Sequence, residues 1–144
     1  FVFAHIVSPH RPFVFGPNGE TVDEAKDDIT GYRDQVAYLN SRLIPIFQAL
    51  ISNSPTPPII ILQGDHGGLD TSVEERMAIL NAYFLTGAGE QLIYENISPV
   101  NTFRLIFKHY FDSHYDLLND TSYFSSYKYP YQYTVIPNTR PGCP

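Results

Sequence analysis

The sequence predicts an α/β fold, a mostly parallel sheet with flanking helices, truncated on its N-terminal side. Three observations predict it. Apolar, β-branched runs occur at residues 1–7 ("FVFAHIV") and 58–63 ("PIIILQ"). A segment with helical periodicity lies between them, and strand–helix–strand order favours a parallel, right-handed crossover. The second run ends in "QGDHGG", an acid and a histidine delivered to a glycine-rich turn at the end of a buried strand.

Each element follows from local chemistry. Residues 1–7 are apolar at nearly every position, as in a strand covered on both faces. "SPHRPFVFGPNGE" holds three prolines and two glycines and reads as loop. Residues 21–54 read as mostly helical, with Val36, Leu39, Leu43, Phe47 and Leu50 at spacings of three and four. Pro45 lies inside that pattern and predicts a kink or break. The acidic run Asp23, Glu24, Asp27, Asp28 suits the solvated, positive end of the helix. "SPTPP" closes it, and the second strand begins.

"TSVEER" reads as a short helical or turn segment, "MAILNAYFL" as a further strand, and "GAGEQLIYENI" as loop. Ser98 is an N-cap with Pro99 at the first helical position, and Val100, Phe103, Ile106, Phe107 and Tyr110 form the apolar stripe of that helix. The Tyr/Pro-rich tail, residues 125–144, predicts a late strand or hairpin. No internal repeat interrupts the chain, so residues 1–144 are expected to form a single domain.

Composition bounds the partners. With 43% hydrophobic and 17% charged residues among 144, this is an ordinary folded chain. Its net charge of -6 argues against nucleic acid, which needs clustered Lys and Arg. An anionic substrate remains compatible, because a metal ion can supply the positive charge. No apolar run approaches the ~20 residues of a membrane span. The lone Cys143 has no partner within the chain, so the redox compartment is not legible. No signal-peptide pattern opens the chain, and a start directly in strand-like composition is expected of a cut inside a larger domain.

Asp65 and His66 lie just past the second apolar run, where open α/β sheets bind ligands. A hard carboxylate oxygen beside a borderline imidazole nitrogen suits a divalent metal; the plain alternative is a polar turn. Glycines at 64, 67 and 68 let the backbone turn sharply there. His10 follows the first strand as Asp65 follows the second, so in one parallel sheet both loops open on the same edge. His5 alternates with Phe1 and Phe3, which points it into packing and makes it a weaker site residue. Arg76 and Arg104 can bind an anion, but each belongs to an amphipathic element where a solvated or structural role is the simpler reading. Asn96-Ile-Ser and Asn119-Asp-Thr match the glycosylation pattern, a short motif of high chance frequency.

Three segments together resemble the C-terminal half of the sulfatase-like branch of the alkaline phosphatase superfamily. They are "FAHIVSPHRPFVF", the stretch from "YRDQVAYLN" to "IIILQGDHGG", and "RMAILNAYFL" with "ISPVNTFRLIFKHYF". The resemblance covers most of residues 1–125. The D-H-G element is its most diagnostic part and the P-H-x-P-F loop the next. It implies an alkaline-phosphatase-like fold and cleavage or transfer of sulfuric or phosphoric esters. Asp65 and His66 would be ligands to a divalent metal (Ca, Mg, Mn or Zn). His10 would contact the transferred group or its leaving oxygen, with Arg11 beside it on a small anionic ester substrate. The family's nucleophile and further acidic ligands lie upstream of the matched positions, so the expected partner is the missing N-terminal part of the same domain. An uncovered sheet edge would favour self-association. The full-length protein would be membrane-associated or extracytoplasmic. The competing reading is a non-catalytic α/β binding module; a Rossmann-like nucleotide binder is disfavoured by the lack of G-x-G-x-x-G after a strand.

Overall fold

A computed structural model describes residues 1–22, 27–68 and 72–137. The chain divides into two compact units, Phe1–Pro57 and Pro58–Pro144.

The first unit is built on helix α1, Asp28–Asn53. Asp27 caps it, its carboxylate accepting from the Thr30 backbone N–H at 3.0 Å. That bond holds the Asp27 carboxyl below its ordinary range, because the charged form is the better acceptor. The helix runs through Pro45 without the expected break. Of the predicted stripe, Val36, Leu39, Leu43 and Phe47 are half-buried, while Leu50 is exposed. The fully buried positions are instead Gly31 and Gln35. Phe13 is buried, and a Cβ at position 31 would lie 2.5 Å from its ring, so this close approach requires glycine. Residues 14–22 fold back on themselves through Val22 N–H to Val14 O (3.1 Å) and Gly16 N–H to Glu20 O (2.8 Å).

The second unit opens with β1, Ile60–Gln63. Its partner is β2, Asn81–Phe84, and the pair is antiparallel, with Ile60 opposite Phe84 and Gln63 opposite Asn81. Between them lies the five-residue helix α2, Val73–Met77, with a capping box made by Ser72 and Glu75. A short 3-10 turn spans Gly89–Leu92. Helix α3, Pro99–Tyr110, starts as its sequence predicts, with Ser98 as N-cap and Pro99 in the first turn. Strands β3, Ser122–Ser126, and β4, Tyr129–Ile136, form the expected hairpin.

The mostly parallel sheet is therefore corrected: the described residues form two separate two-stranded antiparallel sheets. Residues 1–7 form no strand and are exposed, Phe1 and Phe3 among them. An apolar run becomes a strand only when a neighbour takes its backbone donors and acceptors, and composition does not reveal that neighbour. β1 finds its partner locally. The chain turns through Asp65–Gly67 and α2 and comes straight back, and Gly64 N–H donates to Leu80 O at 2.8 Å to extend the ladder. A parallel partner would require a crossover back along the sheet.

The core of this unit is partly polar. Asn101 and Thr102 are fully buried, beside the buried apolar Leu85, Ile106 and Ile136. Asn101 Oδ1 accepts from Leu118 N–H at 2.9 Å, while its Nδ2 donates to Leu118 O (2.7 Å) and Asp120 Oδ1 (2.9 Å). The backbone N–H and C=O of Leu118 thus fix which way the amide points. Asp120 also accepts from Ser98 N–H at 2.7 Å and from the Tyr94 hydroxyl at 2.5 Å. Thr102 pairs with the Tyr83 hydroxyl at 2.8 Å, tying α3 to β2. This corrects the α3 stripe. Val100, Phe103 and Phe107 are exposed, because the helix turns Asn101 and Thr102 inward to partners that satisfy them.

Truncating Asn101→Ala strands the N–H and C=O of Leu118 and is expected to destabilise this unit by about 2–4 kcal/mol, measured by denaturant unfolding.

The Asp120–Tyr94 pair gives a pH signature. Burial raises the Asp120 carboxyl, but hydrogen bonds from Ser98, Tyr94 and Asn101 outweigh it and leave the group lowered. Burial and donation to Asp120 raise the Tyr94 phenol. The Asp120 contribution is complete above the ordinary carboxylate range and disappears as pH falls below about 4. The Tyr94 contribution is complete below about pH 10 and disappears as pH rises through its higher folded value. Asp120→Asn should flatten the acid limb of a stability–pH profile and also weaken the alkaline limb, leaving there only what burial of the Tyr94 phenol contributes.

Candidate functional site

Two places carry the predicted site residues, one in each unit. In the second unit, β1 delivers Asp65 and His66 to the turn beyond its carboxyl end. The Asp65 side chain is 93% exposed and that of His66 26% exposed. His66 Nδ1 lies 2.7 Å from the carbonyl of Gly67. A carbonyl only accepts, so Nδ1 carries the hydrogen, and in the neutral ring Nε2 carries the lone pair. Nε2 stands 3.9 Å from Asp65 Oδ2. That is too far for a hydrogen bond. It is within the span of two donors on one ion, since bonds of about 2.0–2.2 Å put such atoms up to ~4.2 Å apart. Donation of the other ring N–H to a backbone carbonyl is the usual way a ligating histidine is oriented.

The turn is held from behind by α2. Gly67 N–H donates to Arg76 O at 2.7 Å. A Cβ at Gly67 would lie 2.0 Å from Glu75 O and 2.7 Å from Ala78 O, both backbone atoms. This close approach of two backbones requires glycine. Gly64 shows no such crowding: the nearest atom to its added Cβ would be 3.6 Å away. Arg76 thus acts on the turn through its carbonyl.

In the first unit, His10 and Arg11 lie in an exposed loop whose Ser8–Pro9 and Arg11–Pro12 peptide bonds are cis. His10 Nδ1 is 2.5 Å from the Arg11 carbonyl, so this ring too commits its Nδ1–H and leaves Nε2 available. The Arg11 guanidinium donates to Asp28, at the start of α1. Both partners are largely exposed, so the pair adds little stability. Ser8 Oγ is shielded from solvent and has no hydrogen-bond partner among the described residues. His5 lies exposed in residues 1–7, away from the packing its spacing predicts.

The structure brings together Asp65, His66 and the backbone of Arg76, and separately His10 with Arg11. Among the described residues no group of three or more His, Cys, Asp or Glu is arranged to hold a metal ion. No helix among them is long and apolar enough to cross a membrane. Residues 69–71 and Cys143 lie outside the described residues. Four contributors were not legible as site residues: Asp28 as the partner of Arg11, Glu75 and Ala78 through their carbonyls behind Gly67, and Gln35. Gln35 left one trace, a polar residue on the α1 face that also carries Gly31 and Leu39.

Comparison with protein-family models, with curated proteins and with solved structures gave no match to this chain.

Gly67→Ala is expected to cost about 1–3 kcal/mol, the usual range for overpacking. It should also perturb the amide resonances of Asp65 and His66 more than Gly64→Ala does, as read from a two-dimensional NMR spectrum of each variant.

Proposed function

We propose that this chain is part of a metal-dependent hydrolase or transferase of sulfuric or phosphoric esters, similar to the sulfatase-like branch of the alkaline phosphatase superfamily. The observation that supports it best is the Asp65–His66 pair, with Nδ1 on the Gly67 carbonyl and Nε2 3.9 Å from a carboxylate oxygen. The chemistry of this donor set fits a divalent ion, and Asp65 and His66 would hold it. Two donors are only part of a ligand set, since zinc sites use three protein ligands plus water and calcium sites more. Once bound, such an ion offsets charge on the ester oxygens and makes a coordinated nucleophile more acidic.

The remaining roles belong to the chain itself. His66 is oriented by the Gly67 carbonyl, and the turn is supported by α2. His10 presents Nε2 to solvent. When its ring is protonated, Nδ1–H stays with the Arg11 carbonyl and Nε2–H is the proton delivered to a leaving oxygen. Arg11, steadied by Asp28, places a positive charge next to it. The nucleophile and further ligands would come from the rest of the same domain, which would also cover the exposed apolar residues of α1 (Ile29, Ile44, Ile51) and α3 (Phe103, Phe107).

The second reading is a non-catalytic α/β module that binds a partner. The ring cluster of Phe103, Phe107, Phe111 and Tyr115, exposed around α3, favours it.

Aryl sulfate and aryl phosphate esters with added Ca, Mg, Mn or Zn separate the two. The 144-residue chain alone should show no turnover. The longer protein containing it should turn over with metal and lose at least ~10³-fold in Asp65→Ala, because the ion supplies several kcal/mol and each ~1.4 is tenfold. A longer protein with no ester turnover, or with turnover indifferent to Asp65 and His66, selects the binding module.

A further inference from the structure

We propose that Gln35 is the positioning residue of the His10 loop. This deepens the reading in which His10 contacts the transferred group, and it starts from a feature that reading does not use. Gln35 is 1% exposed, on a helix face where an apolar side chain would be expected. A buried carboxamide is unfavourable unless both its ends are bonded. Here both ends go to the same loop. Oε1 accepts from the Val14 backbone N–H at 3.1 Å, and Nε2 donates to the His10 carbonyl at 3.4 Å. The Val14 N–H cannot accept and the His10 carbonyl cannot donate, so the amide orientation is determined by its partners.

The two bonds straddle Arg11, Pro12 and Phe13 and clamp the loop to α1 at both ends of that segment. The rest of the contact agrees. Phe13 packs against Gly31, one helical turn before Gln35, where only hydrogen fits. His10 N–H donates to Val7 O at 3.0 Å, closing the turn that leads into the clamp. With the carbonyl of residue 10 held by Gln35, the ring meets the carbonyl of the next residue, Arg11, at 2.5 Å. The chain of bonds therefore runs from Gln35 Nε2 to the His10 backbone, and from the His10 ring to the next peptide. Its outcome is a defined tautomer with Nε2 facing outward. Gln35 touches no substrate; it acts through the loop.

The test compares the ¹⁵N-labelled chain with Gln35→Met and Gln35→Glu, with α1 helicity checked by circular dichroism. The first variant keeps the volume and removes both bonds. The second keeps an acceptor for Val14 N–H and, ionised, removes the donor to His10. Two readouts are taken above pH 7.5: amide exchange at Val14 and the ¹⁵N shifts of the two His10 ring nitrogens. In Gln35→Met, exchange at Val14 should quicken by about tenfold or more, and the ring nitrogens should move toward the averaged values of a mobile imidazole. In Gln35→Glu, Val14 should stay within ~3-fold of the parent while the His10 ring still loses its single tautomer. A purely structural role would change helicity or overall stability and leave the ring tautomer alone. Unchanged His10 ring shifts in a folded Gln35→Met overturn the proposal. If that variant loses α1, the ring shifts of Gln35→Glu decide in its place. The ring signal reports on Gln35 only, whereas unaltered ester turnover in a His10→Ala form of the longer protein would sink only the catalytic reading of His10.

Discussion

A carboxamide taken out of water has to find partners for its donor and its acceptor, and this constraint organises both units. In the first, Gln35 reaches from α1 to the backbone at His10 and Val14. In the second, Asn101 reaches from α3 to the backbone N–H and C=O of Leu118 and to Asp120. Each is fully buried, and each is the point where a helix captures a loop that apolar packing alone would not hold. Few apolar side chains are completely buried, so these bonded amides do much of the work of specifying the arrangement. Dispersion and hydrophobic burial tolerate small slips; a peptide group bonded at both ends does not.

The capture of α3 carries through to the Asp65–His66 turn. Thr102 meets the Tyr83 hydroxyl on β2, burial raising that phenol above its ordinary value. β2 carries β1 in antiparallel register, and β1 ends at Gln63, two residues before Asp65. Gly67 then locks the turn on α2. His66 is thus oriented by a series of backbone-level constraints, and its own side chain needs only one hydrogen bond, to Gly67 O, to expose Nε2 toward Asp65. The exposed carboxylate is the adjustable partner. The same economy recurs at His10, where the ring again bonds the next carbonyl. Two histidines in unrelated loops share one tautomer because the i+1 carbonyl is the nearest acceptor to Nδ1 in each.

Much of this was legible in the sequence, and the failures have a common cause. Helix limits were readable where capping chemistry is local, as with Ser98–Pro99, and the late hairpin showed in the Tyr/Pro-rich composition of the tail. The Asp65–His66 turn could be located because glycines and an apolar run bracket it. Strand pairing was not readable. Residues 1–7 and 58–63 have similar composition, but only the second has a partner among the described residues, and that partner is antiparallel. The buried face of α3 departs from its apolar period for a related reason. Val100, Phe103 and Phe107 obey the helical period, yet Asn101 and Thr102 turn inward because Leu118, Asp120 and Tyr83, distant in sequence or on another strand, satisfy them. Gln35 is the same case in α1. Periodicity weighs apolar area; it is blind to a polar residue whose partners lie elsewhere.

The central claim is that Asp65 and His66 form one half of a metal site through His66 Nε2. Its most direct test is a Zn²⁺ titration of the ¹⁵N-labelled chain, followed through the ring nitrogens of every histidine. The account predicts that the His66 Nε2 resonance moves with added metal, that Nδ1 keeps its hydrogen on the Gly67 carbonyl, and that Asp65→Asn weakens the effect. A shift at Nδ1, or metal binding at other histidines with His66 unmoved, would contradict it.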